Sequence, residues 1–163
     1  NISSPVKITV KSYPHSFSVK QGMSPMFSSG VDIFSSSLTV GQIGTLPADL
    51  KNFTFNTIFY GRGKGIHSTK PFCGALLKDL LLKYYPANRE NLKSGIVCIV
   101  GKDGYRTVLS YSELFNRNDQ QEFMLVKTKI NEDGGLFRIF AAADFFSDRA
   151  IKSVSEIHLA IIK

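Results

Sequence analysis

The sequence predicts an α+β fold that is dominated by β-structure. Residues 6–11 alternate apolar and polar side chains, which is the period-two pattern of a strand with one wet face. Residues 73–85 instead place leucines at three- and four-residue spacing, which indicates one amphipathic helix. Strand patterns lie on both sides of this helix. An order of strands, a central helix and then mostly strands is typical of the α+β class.

The N-terminal third is predicted to contain two strands separated by less regular structure. Val6, Ile8 and Val10 form the apolar face of the first strand, and the Ser-rich segment 24–37 is predicted to be a surface loop. Residues 38–46 can line one face of a short helical segment that ends before a proline. The second strand follows, because the next segment is rich in the aromatic and β-branched side chains that favour extended backbone. It covers residues 52–60.

The centre of the chain carries the clearest local signals. The helix predicted over residues 73–85 ends at Pro86. Residues 96–100 are wholly apolar, as in a buried strand, and a turn at residues 102–104 leads into a strand over residues 105–109. This region is therefore predicted to be a helix followed by a hairpin.

The C-terminal part is predicted to be mostly strands. Ser110 and Glu113 have the spacing of a capping box, in which the Ser accepts from the third amide and the Glu reaches back, so a short helix begins there. A turn at residues 132–135 follows from their Glu-Asp-Gly-Gly sequence. Three further strands are predicted over residues 123–130, 136–141 and 154–162.

Length and composition indicate a single domain. The chain has 163 residues, of which 43% are hydrophobic and 20% charged, so we expect residues 1–163 to share one core. No apolar run is long enough for a membrane-spanning helix. Lys and Arg outnumber Asp and Glu by 20 to 13, and the net charge of +7 favours anionic partners. Nucleic acid is not expected among them, because the sequence contains no recognisable nucleic-acid-binding motif.

The cysteines and the first residue bear on the cellular compartment. Cys73 and Cys98 are the only cysteines and lack CxxC spacing, so no zinc site is indicated. Their apolar neighbours favour two buried free thiols, and one disulfide between them is the alternative in an exported protein. The sequence starts with Asn1 rather than Met, from which we expect that a targeting segment has been removed.

A glycine-rich, basic segment follows the strand predicted over residues 52–60. Glycines let backbone amides approach an oxyanion, while Arg offers a planar fork and Lys a point charge, so phosphate is a natural ligand. The segment lacks P-loop spacing, and a flexible hairpin tip is an equal alternative. It covers residues 61–70 and carries three cations and one imidazole: Arg62, Lys64, Lys70 and His67.

Two aspartates lie beside predicted turns. Asp103 precedes Gly104 and Tyr105, and Asp144 follows three alanines. Carboxylates in such places usually cap backbone amides, and this interpretation is favoured for both. The alternative is that they face a ligand.

Three segments together carry a family resemblance. Residues 72–81 read Phe-Cys-Gly-Ala-Leu-Leu-Lys-Asp-Leu-Leu, residues 103–106 read Asp-Gly-Tyr-Arg, and residues 134–139 read Gly-Gly-Leu-Phe-Arg-Ile. In this order they resemble the "F-x-G-V-x-L-x-D-L-L", "DGY" and "G-P-x-R-L" motifs of the sulfite oxidase-type molybdopterin-binding domain. With a similar closing segment over residues 144–156, the resemblance covers residues 38–159.

The resemblance implies a mostly β fold with mixed sheets and a few short helices, and a pocket for a pterin, usually molybdopterin. In the family's oxidoreductases a Cys just after the strand at residues 53–60 binds molybdenum, because a soft thiolate holds that metal. Here Tyr60, Gly61 and Arg62 stand in that region without a Cys, so no molybdenum is expected. The chain resembles the short stand-alone members of the superfamily, which implies an exported, periplasmic or secreted pterin-binding protein with a membrane-bound signalling partner.

Residues and resemblance together predict non-catalytic binding of a pterin or a similar anionic heteroaromatic ligand. Basic side chains and the His would contact its polar or anionic groups, the tyrosines would form aromatic walls, and the aspartate would accept from ring amino groups. A molybdopterin-dependent oxidoreductase, or a subunit of one, is the first alternative. A protein-interaction module with a degenerate pocket is the second. The candidate contacts are Tyr60, Arg62, Lys64, His67, Lys70, Tyr105 and Asp144.

Overall fold

The structure of the protein is a computed structural model. It describes residues 7, 9–10, 26–61, 65–116, 122–128 and 135–162, and at residues 59, 67 and 68 it describes the backbone alone. Half of the strand predicted over residues 6–11 and most of the turn predicted at residues 132–135 lie outside these ranges.

The described residues are mostly strand, which confirms the predicted β-dominated α+β class. Their α-helices are short, α1 (Leu77–Leu81) and α2 (Arg89–Ser94), and single turns of 3₁₀-helix cover Tyr111–Leu114 and Ser147–Arg149. None of the helices in the described part of the chain has the length and apolar character that a membrane crossing requires. The strands are β1 (Val31–Ser35), β2 (Leu38–Ile43), β3 (Asn52–Phe55), β4 (Phe59–Gly61), β5 (Gly65–Ser68), β6 (Phe72–Leu76), β7 (Gly95–Gly101), β8 (Arg106–Ser110), β9 (Phe123–Lys127), β10 (Phe137–Ala141) and β11 (Val154–Ile161).

The strands form a five-stranded sheet, a four-stranded sheet and a separate hairpin. The five-stranded sheet has the order β2-β1-β11-β7-β8 and is mixed, because β1 runs parallel to β11 while the other neighbours are antiparallel. The four-stranded sheet has the order β10-β9-β6-β3 and is antiparallel throughout. β4 and β5 form the hairpin. The mixed sheet that the resemblance implied is therefore present.

One hydrophobic core joins the two larger sheets. Apolar side chains from both sheets and the three leucines of α1 meet in a single buried cluster. A smaller cluster, which includes Phe72, Met124 and Phe140, lies on the four-stranded sheet. β9 is buried along four consecutive residues because it contributes to both clusters. The main cluster includes Ile33, Val97, Ile99, Ile157 and Leu159 from one sheet and Phe123, Leu125, Phe137 and Ile139 from the other.

Two predictions for residues 24–46 are wrong. The second half of the Ser-rich segment is not a loop but β1, whose Val31 and Ile33 are fully buried. The predicted helical segment at residues 38–46 is mostly β2, which pairs antiparallel with β1 at the edge of the sheet. A two-residue turn joins them, in which Ser36 and Ser37 have φ of 48° and 74°. Pairing with a central strand overrides the weak helical spacing here.

The helix predicted over residues 73–85 is much shorter in the structure. Its first four residues belong to β6, and α1 covers only Leu77–Leu81. The first residues are extended because β6 pairs with β3 and β9, which overrides the local helical spacing. The strand predicted over residues 52–60 is divided into β3 and β4. The sequence analysis missed α2, although Asn88 caps it by accepting a hydrogen bond from the amide of Asn91 at 2.9 Å.

Several local predictions are confirmed. β7, β8 and β11 match the predicted strands within one residue at each end. The Ser110 hydroxyl oxygen accepts from the amide of Glu113 at 3.3 Å and begins the 3₁₀-helix at Tyr111–Leu114. The carboxylate of Glu113 pairs with Arg149, a contact that capping-box spacing does not predict.

Gly74 provides a test of the packing within the four-stranded sheet. A Cβ at this position would overlap the Leu125 carbonyl and lie 2.8 Å from the Cα of Val126. We expect Gly74→Ala to lower the free energy of unfolding by about 2 kcal/mol, measured by urea denaturation. Gly44→Ala is the matched control, because a Cβ there meets only the Ser29 carbonyl at 4.0 Å. Equal stability of the two variants would contradict this account of the packing.

Ionisation of Tyr111 is expected to destabilise the fold at alkaline pH. Its side chain is fully buried and its hydroxyl donates to the Tyr85 carbonyl. Burial raises the pKa of Tyr111 from 10.0 to about 12, so the stability from its neutral form is complete below pH 10 and is lost as the pH rises towards 12. Tyr111→Phe should make the unfolding free energy less pH-dependent over this interval, at a cost of about 1 kcal/mol at neutral pH. If the unfolding free energies of wild type and Tyr111→Phe changed with pH in the same way, a group other than Tyr111 would be responsible.

Candidate functional site

The predicted glycine-rich segment is a hairpin in the structure. β4 pairs with β5 through Tyr60 opposite Ile66 and Gly61 opposite Gly65, and Gly65 has a φ of 70° that favours glycine. Arg62 and Lys64 lie outside the described residues, and only the backbone of His67 is described. The strands on either side of residues 62–64 thus pair as a hairpin, while anion binding and a flexible tip both stay predictions.

The base of the hairpin is closed by a hydrogen bond. The Thr57 hydroxyl, on the segment before β4, donates to the carbonyl of Lys70 at 3.2 Å, and Thr57 is buried. Lys70 follows β5 and is exposed. This hydrogen bond joins the two ends of the hairpin, and the side chain of Lys70 is exposed to solvent there.

Tyr60 belongs to an aromatic cluster that the sequence analysis did not identify. Its ring centre lies 5.2 Å from that of Phe145 and 5.7 Å from that of Phe146. Phe145 and Phe146 pack edge to face at 4.9 Å. Phe145 is 73% exposed, so the cluster presents aromatic surface to solvent beside the hairpin. Adjacent phenylalanines after a turn were the available sequence signal.

Asp144 lies next to this cluster and is engaged by Arg149. The guanidinium donates from Nε to Oδ2 at 2.7 Å and from Nη2 to Oδ1 at 2.6 Å, and Nη1 donates to Oε1 of Glu113 at 2.8 Å. Its carbon lies 5.0 Å from the centre of the Phe123 ring. The hydrogen bonds to Asp144 and Glu113 raise the pKa of Arg149 above its already high value, against the opposing effect of burial. These contacts fix the segment that carries Phe145 and Phe146.

Tyr105 also contacts this segment. Its hydroxyl donates to the carbonyl of Asp148 at 2.6 Å, although about half of its surface is exposed. Oδ1 of Asp103 accepts from the Tyr105 amide at 2.9 Å, which confirms the capping interpretation of Asp103. Of the seven predicted contacts, the structure brings Tyr60, Tyr105 and Asp144 to the single segment 144–149.

A cleft of about 530 Å³ lies elsewhere, beside β3, β6 and β9. Of the predicted contacts, the four whose side chains the structure describes do not line it: Tyr60, Lys70, Tyr105 and Asp144. Both cysteines are free, as favoured, but Cys73 is exposed here rather than buried, and Cys98 is buried. Cys73 is exposed because it alternates with the buried Phe72 and Gly74 along β6. We call this space the end cleft; its lining includes Leu46, Pro47, Leu50, Asn52, Cys73 and Lys127.

Arg149 supplies a test of the loop that carries the aromatic cluster. Arg149→Lys keeps the charge but loses the planar fork, so we expect amides of residues 144–149 to exchange hydrogen for deuterium about tenfold faster. Lys83→Gln is the control, because it removes the exposed ion pair with Asp49 and should leave this segment unchanged. Unchanged exchange in Arg149→Lys would contradict the anchoring role.

The candidate features for function among the described residues are thus the aromatic cluster, the Arg149 contacts and the end cleft. Within the described ranges, no three His, Cys, Asp or Glu side chains come together in a group that could hold a metal ion. No model of a known protein family matches the chain, and no curated protein matches it significantly.

Proposed function

We propose that the protein binds a pterin or a similar anionic heteroaromatic ligand without catalysing a reaction on it. The observation that carries this proposal is the exposed aromatic cluster beside a hairpin that is basic in sequence. Tyr60 packs directly on Phe145 and Phe146, and the tip that follows Tyr60 contains Arg62 and Lys64 in the sequence. Aromatic surface next to a segment that carries Arg and Lys suits a planar ring with an acidic group.

In this proposal the ring stacks on the exposed face of Phe145, and the cations of the hairpin contact its phosphate or carboxylate. Arg149 already occupies one acceptor site on each oxygen of Asp144. A carboxylate oxygen has a second lone pair, so a ring amino group can share Asp144 with Arg149. Tyr105 acts mainly through its hydrogen bond to the Asp148 carbonyl, which holds the loop in place.

Membership of the sulfite oxidase-type fold is part of the same proposal. It is supported by the mixed five-stranded sheet, and by α1 and β8, which lie in the segments that carry the motifs. Binding is proposed rather than oxidoreduction because the sequence after β4 lacks the Cys that would hold molybdenum. A role as an exported sensor that acts with a membrane-bound partner also follows from the resemblance.

Titration with pterin-6-carboxylate, a fluorescent planar anion, tests the proposed site. We expect wild-type protein to bind it, and the double variant Arg62→Ala/Lys64→Ala to raise Kd at least about tenfold, because charge-assisted hydrogen bonds are lost. The double variant Lys93→Ala/Lys102→Ala removes the same charge from α2 and the β7–β8 turn, and should bind like wild type. Phe145→Ala should also weaken binding, and Phe145→Trp should retain it.

If both double variants bound pterin-6-carboxylate equally weakly, the effect would come from net charge alone, which would contradict the proposed site. Protein purified from its own host gives a second readout by mass spectrometry and metal analysis. A co-purified pterin without metal would support the proposal, whereas stoichiometric molybdenum would replace it with the oxidoreductase alternative. Absence of any bound small molecule, together with no binding in the titration, would overturn it in favour of a protein-interaction module.

A further inference from the structure

The end cleft is built by strands of the four-stranded sheet and by the connection between β2 and β3. Cys73 on β6 lies opposite Thr54 on β3. Because Gly74 pairs with Val126, Cys73 is also level with Lys127 on β9. Asn52 begins β3 on the same side of the cleft. The floor of the cleft is thus a sheet, whose backbone is held by hydrogen bonds on both sides of β6.

The opposite wall is apolar and anchored. Leu46 and Leu50 are partly buried and pack on the main core, and Pro47 lies between them. The Leu50 amide donates to the Pro47 carbonyl at 3.1 Å, which closes a turn. The acidic residue of this turn, Asp49, forms an ion pair with Lys83 and does not line the cleft. The wall is therefore formed in advance of any binding event.

The cleft has the size and the mixed lining of a small-molecule site. Its volume of about 530 Å³ lies within the roughly 300–1,000 Å³ that is usual for ligand pockets. An apolar wall faces a polar side with one exposed cation, Lys127, and one exposed amide, Asn52. Among the described lining residues there is no Asp or Glu. This combination suits a molecule with an apolar body and a single acidic group.

We propose that the end cleft binds a small amphipathic carboxylate or sulfonate, with its apolar body against Leu46, Pro47 and Leu50 and its acidic group at Lys127 and Asn52. The site does not rest on the proposed pterin site, because the two have no residue in common. Each can therefore fail while the other holds. Cys73 serves as the reporter, since it is the exposed cysteine in the described part of the chain and it lines the cleft.

Protection of Cys73 by a matched pair of probes tests the site. The neutral reagent methyl methanethiosulfonate transfers a methylthio group to the Cys73 thiolate and releases methanesulfinate, and intact mass follows the reaction. We expect 1-naphthaleneacetate to protect Cys73 saturably. The uncharged 1-naphthaleneacetamide should need an at least tenfold higher concentration, because it forms no charge-assisted hydrogen bond with Lys127.

Two variants separate the site from general surface charge. Lys127→Gln should abolish the difference between the acid and the amide when protection is expressed relative to the variant's own rate of reaction without probe. Lys93→Gln removes an exposed cation from α2 and should leave the difference intact. Failure of the acid to protect Cys73, equal protection by acid and amide in wild type, or an equal effect of both variants would overturn the proposal.

Discussion

Burial of two sheet faces against each other is the constraint on which the other features depend. Ile33, Ile99 and Ile157 in the five-stranded sheet have no exposed surface, and neither have Leu125 and Ile139 in the four-stranded sheet. A core with this little free space allows the sheets only small relative movements. The loops that follow the strands of these two sheets therefore start from fixed positions. The aromatic cluster follows β10, and the wall of the end cleft follows β2.

Arg149 holds a surface loop, residues 144–149, against the packed sheets. Two carboxylates and an aromatic ring surround its guanidinium, and the three charged side chains are each less than one-third exposed. Charges removed from water to this extent are stable only when they are paired in good geometry. The arrangement fixes the segment that carries Phe145 before any ligand arrives. A platform ordered in advance loses less conformational entropy on binding, which favours affinity.

Sequence patterns predicted the elements that depend on adjacent residues and failed where distant strands decide. The β7–β8 hairpin and the Ser110 cap rest on local turn and capping chemistry. β1 was missed because its burial comes from β11, its parallel neighbour far along the chain, and the surrounding serines hide that role. Within the site, the sequence indicated Tyr60 and Asp144 but missed Phe145 and Arg149, whose contacts are tertiary. The exposure of Cys73 follows from its place in β6, which the sequence analysis assigned to a helix.

The central place of β11 has a consequence for the birth of the molecule on the ribosome. β11 lies between β1 and β7, so the five-stranded sheet is divided until β11 has been made. The four strands of the other sheet are all synthesised before β11. Since synthesis proceeds from the N-terminus, the edges of β1 and β7 that later pair with β11 stay unpaired on the nascent chain until β11 leaves the ribosome. Protection of these edges by a chaperone would matter most in that interval.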